Sequence, residues 1–245
     1  MVWLLMLTFV ARMAGGLALA MLGVSSRYVV SGFFRVHLWV LLGLFTFAAL
    51  LAASRTGQAA LWPMVAGAVA SYFGAALWLY EKPRAGWWSL VIVALCAAWG
   101  LYQLTPIPTG GISWPVALRW INDVSSAYLL GTTLCAMLLG HWYLNTPTMQ
   151  LTPLRRLVLV MFVAVLVRAA VVTLTTWTHA ELPDTGFEWA MFAMHWLAGI
   201  VGTALVSLMT WHTLLIPNTQ SATGILYVGV ILVFIGEMAA LVPLA

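Results

Sequence analysis

The sequence has very little charge. Charged residues make up 7% of its 245 residues, whereas hydrophobic residues make up 64%. A soluble domain carries roughly 25% charged residues, so this chain lacks the side chains that a water-facing surface requires. This scarcity excludes an ordinary soluble domain. Together with a mean hydropathy of +1.03, it predicts that lipid surrounds the protein.

The sequence also lacks the motifs that identify metal, nucleotide and nucleic-acid sites. It contains no HExxH, CxxCH, P-loop or dinucleotide-binding glycine pattern. Its two cysteines, Cys96 and Cys135, form no CxxC pair. The basic residues lie mostly in short breaks between apolar runs, so they indicate membrane topology and not nucleic-acid binding. We expect no metal other than a haem iron and no catalysis by this chain alone, although it suits the membrane subunit of an oxidoreductase.

Long apolar runs are what the sequence contains instead. A membrane-spanning helix needs about 20 mostly apolar residues, and lipid cannot satisfy the open backbone groups of irregular structure. We therefore predict an all-α integral membrane protein with short loops, forming a single membrane domain over residues 1–245. The eight predicted spans are residues 2–23, 37–54, 60–81, 88–105, 124–144, 156–178, 187–215 and 221–243.

The breaks between the runs contain turn-forming and helix-capping residues. Thr152-Pro153 and Ser221 each predict the beginning of a helix, because a hydroxyl caps free N–H groups and proline is tolerated in a first turn. The longest break contains WPVALRWIND, residues 114–123, which predicts a short interfacial helix separate from the fifth span.

The distribution of basic residues predicts the orientation of the chain. Cytoplasmic loops carry an excess of lysine and arginine, and here the odd-numbered loops carry more than the even-numbered ones. Basic residues of the odd loops are Arg27, Arg35, Lys82, Arg84, Arg155 and Arg156, and those of the even loops are Arg55 and Arg119. We expect a bacterial plasma membrane protein with both termini on the non-cytoplasmic side.

Three charged residues lie deep within predicted spans. Arg12, Arg168 and Glu237 each cost roughly 2.5–3.5 kcal/mol on insertion scales, so each requires a partner or a function. We predict a buried ion pair between Glu237 and either Arg168 or Arg12. Such a pair fixes helix register in one interpretation. In the other, Glu237 carries protons while the two arginines bind haem propionates or a quinone carbonyl.

Four histidines are candidate cofactor ligands. His37, His141 and His212 are predicted to lie near the cytoplasmic boundary, at a depth that would let two of them share one haem iron, and His195 lies deeper. The alternative is interfacial anchoring, which the neighbouring aromatic residues favour. His195 and His212 are about 100° apart around a helix, so we do not expect both to face a pair of stacked haems.

Small residues accompany two of these polar side chains. Gly15 and Gly16 follow Arg12 on the first span, and Gly199 and Gly202 follow His195 on the seventh. Small residues let membrane helices approach closely, which is the interpretation we favour. The alternative is that they leave room for a flat ring beside an axial histidine.

These observations leave three functional hypotheses. The first is a subunit of a respiratory or other electron-transfer complex that binds b-type haem, quinone or both. The second is a cofactor-free accessory or scaffold subunit of a larger membrane complex. The third, which the lack of visible pseudo-symmetry disfavours, is a small-solute or proton-coupled transporter. In the first two the partners are the lipid bilayer and other membrane subunits.

Overall fold

The computed structural model describes residues 2–56, 58–105, 114–146, 149–179, 183–216 and 218–242. Every regular element in these ranges is helical. The α-helices are α1 (Val2–Leu22), α2 (Ser31–Leu51), α3 (Gln58–Leu79), α4 (Pro83–Leu104), α5 (Trp114–Asn145), α6 (Thr152–His179), α7 (Gly186–Met194), α8 (Thr203–Leu215) and α9 (Thr219–Leu241). Two π-helical segments, Ala52–Thr56 and His195–Gly202, extend α2 and join α7 to α8.

Eight helical segments of the described chain are long and apolar enough to cross a membrane, which confirms the predicted fold class and number of spans. Several helices begin earlier than their apolar runs. Helix α2 begins at Ser31 and includes Arg35, and α4 begins at Pro83 and includes Arg84. A long arginine side chain can extend its charge to the interface, so hydrogen bonding of the helix backbone continues beyond the apolar run.

The prediction of a separate interfacial helix over residues 114–123 is wrong. These residues form the first turns of α5, which runs without a break to Asn145. The sequence between residues 116 and 130 contains neither glycine nor proline, so nothing interrupts the backbone hydrogen bonds. This continuity brings Asp123 into the helix that forms the fifth span.

The predicted helix starts are close to the observed ones. Helix α6 begins at Thr152, with Pro153 as its second residue, as expected. Helix α9 is instead capped by Asn218, whose side-chain oxygen accepts a hydrogen bond from the Ser221 N–H at 3.0 Å. Asparagine is as good an N-cap as serine, so the cap lies three residues earlier than predicted.

The described chain divides into two compact units, Met1–Gly131 and Thr132–Ala245; the single membrane domain over residues 1–245 stays a prediction. In the first unit, α1 packs against α2 and α4, and α3 packs between α2 and α4. Large apolar side chains such as Leu50, Trp62 and Phe73 remain exposed on this unit, as expected of surfaces that face lipid.

The second unit contains residues 132–145 of α5 together with α6 to α9. Helix α9 packs against α7, the π-helical segment and α8, and α6 packs against α8. A Cβ atom on Gly229 of α9 would lie 2.8 Å from Val206 and 3.7 Å from Thr133. Helix α9 is therefore the element around which this unit is arranged.

Close helix packing is confirmed as the role of Gly16 and Gly199. A Cβ atom on Gly16 would lie 1.7 Å from the Ala127 carbonyl oxygen of α5, and one on Gly199 would lie 3.0 Å from the Gly236 Cα of α9. The neighbouring backbones occupy this space, so a ring cannot lie at either glycine.

Replacing Gly236 with alanine is expected to destabilise the second unit. The new Cβ atom would lie 2.2 Å from the Gly199 Cα, and a backbone contact cannot move as a flexible side chain does. We expect a loss of about 2 kcal/mol in unfolding free energy, measured by denaturant unfolding in mixed micelles. Gly224→Ala on the same helix is the matched control, because a Cβ there meets no described atom within 4 Å. Equal stability of the two variants would contradict the packing.

Candidate functional site

A buried ion pair joins helices α6 and α9. Arg168 donates from Nε to Glu237 Oε1 at 2.8 Å and from Nη2 to Glu237 Oε2 at 2.9 Å. Their side chains are 1% and 0% exposed, respectively. This two-point geometry is the strong form of an arginine–carboxylate contact. Of the two pairings that the sequence left open for Glu237, the structure forms the one with Arg168.

Gly236, the residue before Glu237, accepts a hydrogen bond from a buried histidine. The Nδ1 atom of buried His195 lies 2.9 Å from the carbonyl oxygen of Gly236. A carbonyl oxygen only accepts hydrogen bonds, so Nδ1 carries the proton and the neutral ring has its lone pair on Nε2. Two consecutive residues of α9 therefore fix both the arginine of α6 and the orientation of this imidazole.

His195 is also the first residue of the π-helical segment His195–Gly202. The turns of this segment are wider than those of an α-helix, and the hydroxyl of Thr203, the first residue of α8, donates to the Ala198 carbonyl oxygen within it at 3.2 Å. Such wide turns are rare and occur frequently at functional sites. Apart from its two glycines, no residue pattern predicts this segment.

Arg12 pairs with Asp123 of α5 and not with Glu237. Its Nη2 contacts Asp123 Oδ1, and its Nη1 donates to the Ser126 hydroxyl at 3.2 Å. The Thr105 hydroxyl donates to Asp123 Oδ2 at 3.3 Å. Asp123 was missed because it lies one residue before the predicted fifth span. Predicting one continuous helix from WPVALRWIND into the fifth span would have placed Asp123 inside the membrane helix.

His37 lies in the first unit and resembles His195 in its local chemistry. Its ring is buried on α2, with Nδ1 2.6 Å from the carbonyl oxygen of Phe33 one turn earlier. Nδ1 again carries the proton, so Nε2 has the lone pair. The ring also lies against that of Phe33, with centroids 4.3 Å apart.

The other two candidate histidines are exposed. His141 Nδ1 lies 3.2 Å from the Tyr227 hydroxyl, an interaction between α5 and α9 within the second unit. His212 makes no hydrogen bond within the described residues. The described residues also contain no group of three or more histidine, cysteine or acidic side chains that could hold a metal ion.

Comparison with known proteins found no relative of this chain. No protein-family model matches it, and neither a curated protein nor a solved structure shows significant similarity.

Replacing Asp123 with asparagine is expected to destabilise the first unit. The change keeps an oxygen for Thr105 but leaves the buried Arg12 guanidinium without its counter-charge. Breaking a fully buried pair costs about 3–5 kcal/mol, and because the Asp123 side chain is 16% exposed we expect about 2 kcal/mol. Unfolding in mixed micelles measures the loss. Asp184→Asn, at an exposed carboxylate, is the control, and an equally stable Asp123→Asn protein would refute the pairing.

Proposed function

We propose that this chain is the membrane subunit of an electron-transfer complex and binds b-type haem through buried histidines, of which His37 is the candidate ligand of the first unit and His195 that of the second. The observation that carries the proposal is the hydrogen bond from Nδ1 of each buried ring to a backbone carbonyl oxygen. Metal-binding histidines are commonly oriented in this way, because a fixed Nδ1–H directs the Nε2 lone pair and increases its basicity. Haem iron takes a neutral imidazole as its axial ligand.

The surroundings of His195 support this assignment further. The ring sits at the beginning of a π-helical segment in the seventh span, and its partner Gly236 is adjacent to the ion-paired Glu237. We assign Arg168 and Glu237 a positioning role, because each satisfies the other's charge and hydrogen bonds and the pair fixes α9, which carries the carbonyl group that binds His195. Proton transfer by Glu237 and binding of haem propionates by Arg168 stay predictions.

A second candidate function is that of a cofactor-free accessory subunit. It is favoured by the way in which the chain satisfies its own buried charges, since Arg12 and Arg168 each have a carboxylate partner. The glycines beside Arg12 and His195 also contact neighbouring helices and not open space. In this alternative the buried polar residues fix helix register and the chain serves its complex through packing alone.

The absorption spectrum of the purified protein is expected to show bound haem. On reduction with dithionite we expect a shifted Soret band and an α-band, because reduced b-type haem shows both. His195→Ala and His37→Ala should each reduce the haem content, measured as pyridine haemochrome per protein. The protein should be extracted in mild detergent so that partner subunits are retained.

His212→Ala is the matched control, since that ring is exposed and should not affect haem content. Circular dichroism of each variant checks that the helices are intact. A featureless wild-type spectrum, together with no iron by mass spectrometry, would exclude the haem proposal and leave the accessory function. Equal loss of haem in the His212→Ala protein would refute the assignment to His37 and His195.

A further inference from the structure

We propose that the first unit binds the phosphate groups of anionic phospholipids through basic side chains at one end of helices α2, α3 and α4. We call this cluster the basic end, and it consists of Arg27, Arg35, Lys82 and Arg84. Arg27, Lys82 and Arg84 are exposed, and Arg35 is half-buried. Lipid binding here does not depend on haem binding.

Aromatic contacts bring the ends of three helices to one level. Phe34, in the first turn of α2, stacks on Trp78 near the end of α3, with ring centroids 4.2 Å apart and ring planes 9° apart. A Cβ atom on Gly86, in the first turn of α4, would lie 2.5 Å from Trp78 Nε1. The beginnings of α2 and α4 therefore both lie beside the end of α3, and the basic residues near them share one end of the unit.

A tight turn between α3 and α4 places two of the basic residues. The Lys82 N–H donates to the Leu77 carbonyl oxygen at 3.0 Å, so the chain leaves α3 at once. Glu81 has a φ of 52°, the left-handed conformation that the end of a helix commonly requires. Lys82 and Arg84 follow directly, with their side chains exposed. The position of both charges is therefore fixed by the backbone of the turn.

The charge of the basic end is not neutralised within the described residues. None of its four side chains forms an ion pair or donates a hydrogen bond there. One carboxylate, that of Glu81, lies among them without an ion-pair partner. Asp123, the other described carboxylate of this unit, pairs with Arg12 beside Thr105 at the opposite end of α4. The basic end therefore has an excess of positive charge, to which the helix dipoles of α2 and α4 add.

Exposed aromatic side chains beside these charges favour a lipid headgroup over a soluble anion. Tyr80 is 73% exposed and Trp88 is 62% exposed. Tyrosine and tryptophan concentrate at the membrane interface, because each combines an apolar ring with a polar O–H or N–H group. Lipid phosphates lie at the same depth, and lysine and arginine both bind phosphate. A zwitterionic lipid brings its own cation, which opposes this attraction, so the basic end prefers anionic lipids.

Native mass spectrometry of the full chain tests the proposal, after equilibration in micelles that contain equal amounts of phosphatidylglycerol and phosphatidylcholine. We expect the wild type to retain phosphatidylglycerol preferentially. Arg84→Gln should weaken this retention about fivefold, the effect of one basic residue near an anionic surface. Arg119→Gln is the matched control, because that arginine is also exposed but lies on α5, outside the basic end. It should retain phosphatidylglycerol as the wild type does.

Glu81→Gln changes the charge in the opposite direction. It removes the one carboxylate of the basic end, so phosphatidylglycerol retention should increase. High salt should reduce the preference in every protein that shows it, because ions screen exposed charges. Circular dichroism checks that each variant is folded.

Equal retention of the two lipids by the wild type would overturn the proposal, as would equal retention of phosphatidylglycerol by the Arg84→Gln and Arg119→Gln proteins. Binding of a soluble poly-glutamate peptide without any headgroup preference would overturn it in favour of an acidic protein partner. Displacement of phosphatidylglycerol by an equal concentration of inorganic phosphate would overturn it in favour of free phosphate. The haem spectrum of these variants should not change, which keeps this test distinct from the test of haem binding.

Discussion

Guanidinium–carboxylate pairing in lipid is the interaction on which the second unit depends. An isolated charge at membrane depth is costly, and removing water strengthens the attraction between opposite charges. Arg168 and Glu237 therefore select which faces of α6 and α9 meet. Gly236, the residue before Glu237, has two further roles: it allows close approach to Gly199, and its carbonyl oxygen accepts a hydrogen bond from Nδ1 of His195. Two consecutive residues of α9 thus set a charge pair, a helix contact and an imidazole tautomer.

The first unit also contains a buried guanidinium–carboxylate pair, but with fewer hydrogen bonds between the two groups. Arg12 and Asp123 meet through one guanidinium nitrogen, and the cluster is completed by the hydroxyls of Ser126 on α5 and of Thr105, which follows α4. This geometry leaves the Arg12 Nε, which an arginine in a two-point pair would use, without a described acceptor. The two pairs therefore differ in geometry: the two-point pair of the second unit holds α9 beside His195, and the one-point pair of the first unit is completed by hydroxyl groups.

The sequence predicted what depends on local hydropathy and not what depends on neighbouring helices. The lengths of the apolar runs alone predict the eight spans. The cost of burying the charge of Glu237 predicts that it has an arginine partner. Asp123 was missed because a hydropathy boundary placed it outside the membrane, although its helix continues through that boundary. The tautomer of His195 depends on the carbonyl oxygen of Gly236 on another helix, and no pattern along the chain contains that contact.

Arg168 and Glu237 stabilise the second unit as a pair, and a double-mutant cycle tests this coupling most directly. Unfolding free energies would be measured in mixed micelles for Arg168→Met, Glu237→Leu and the double variant. Each single change should cost about 3 kcal/mol or more, because it leaves a buried charge unpaired, and the double change should recover most of that loss. Additive losses, with a coupling energy near zero, would show that the pair does not organise this unit.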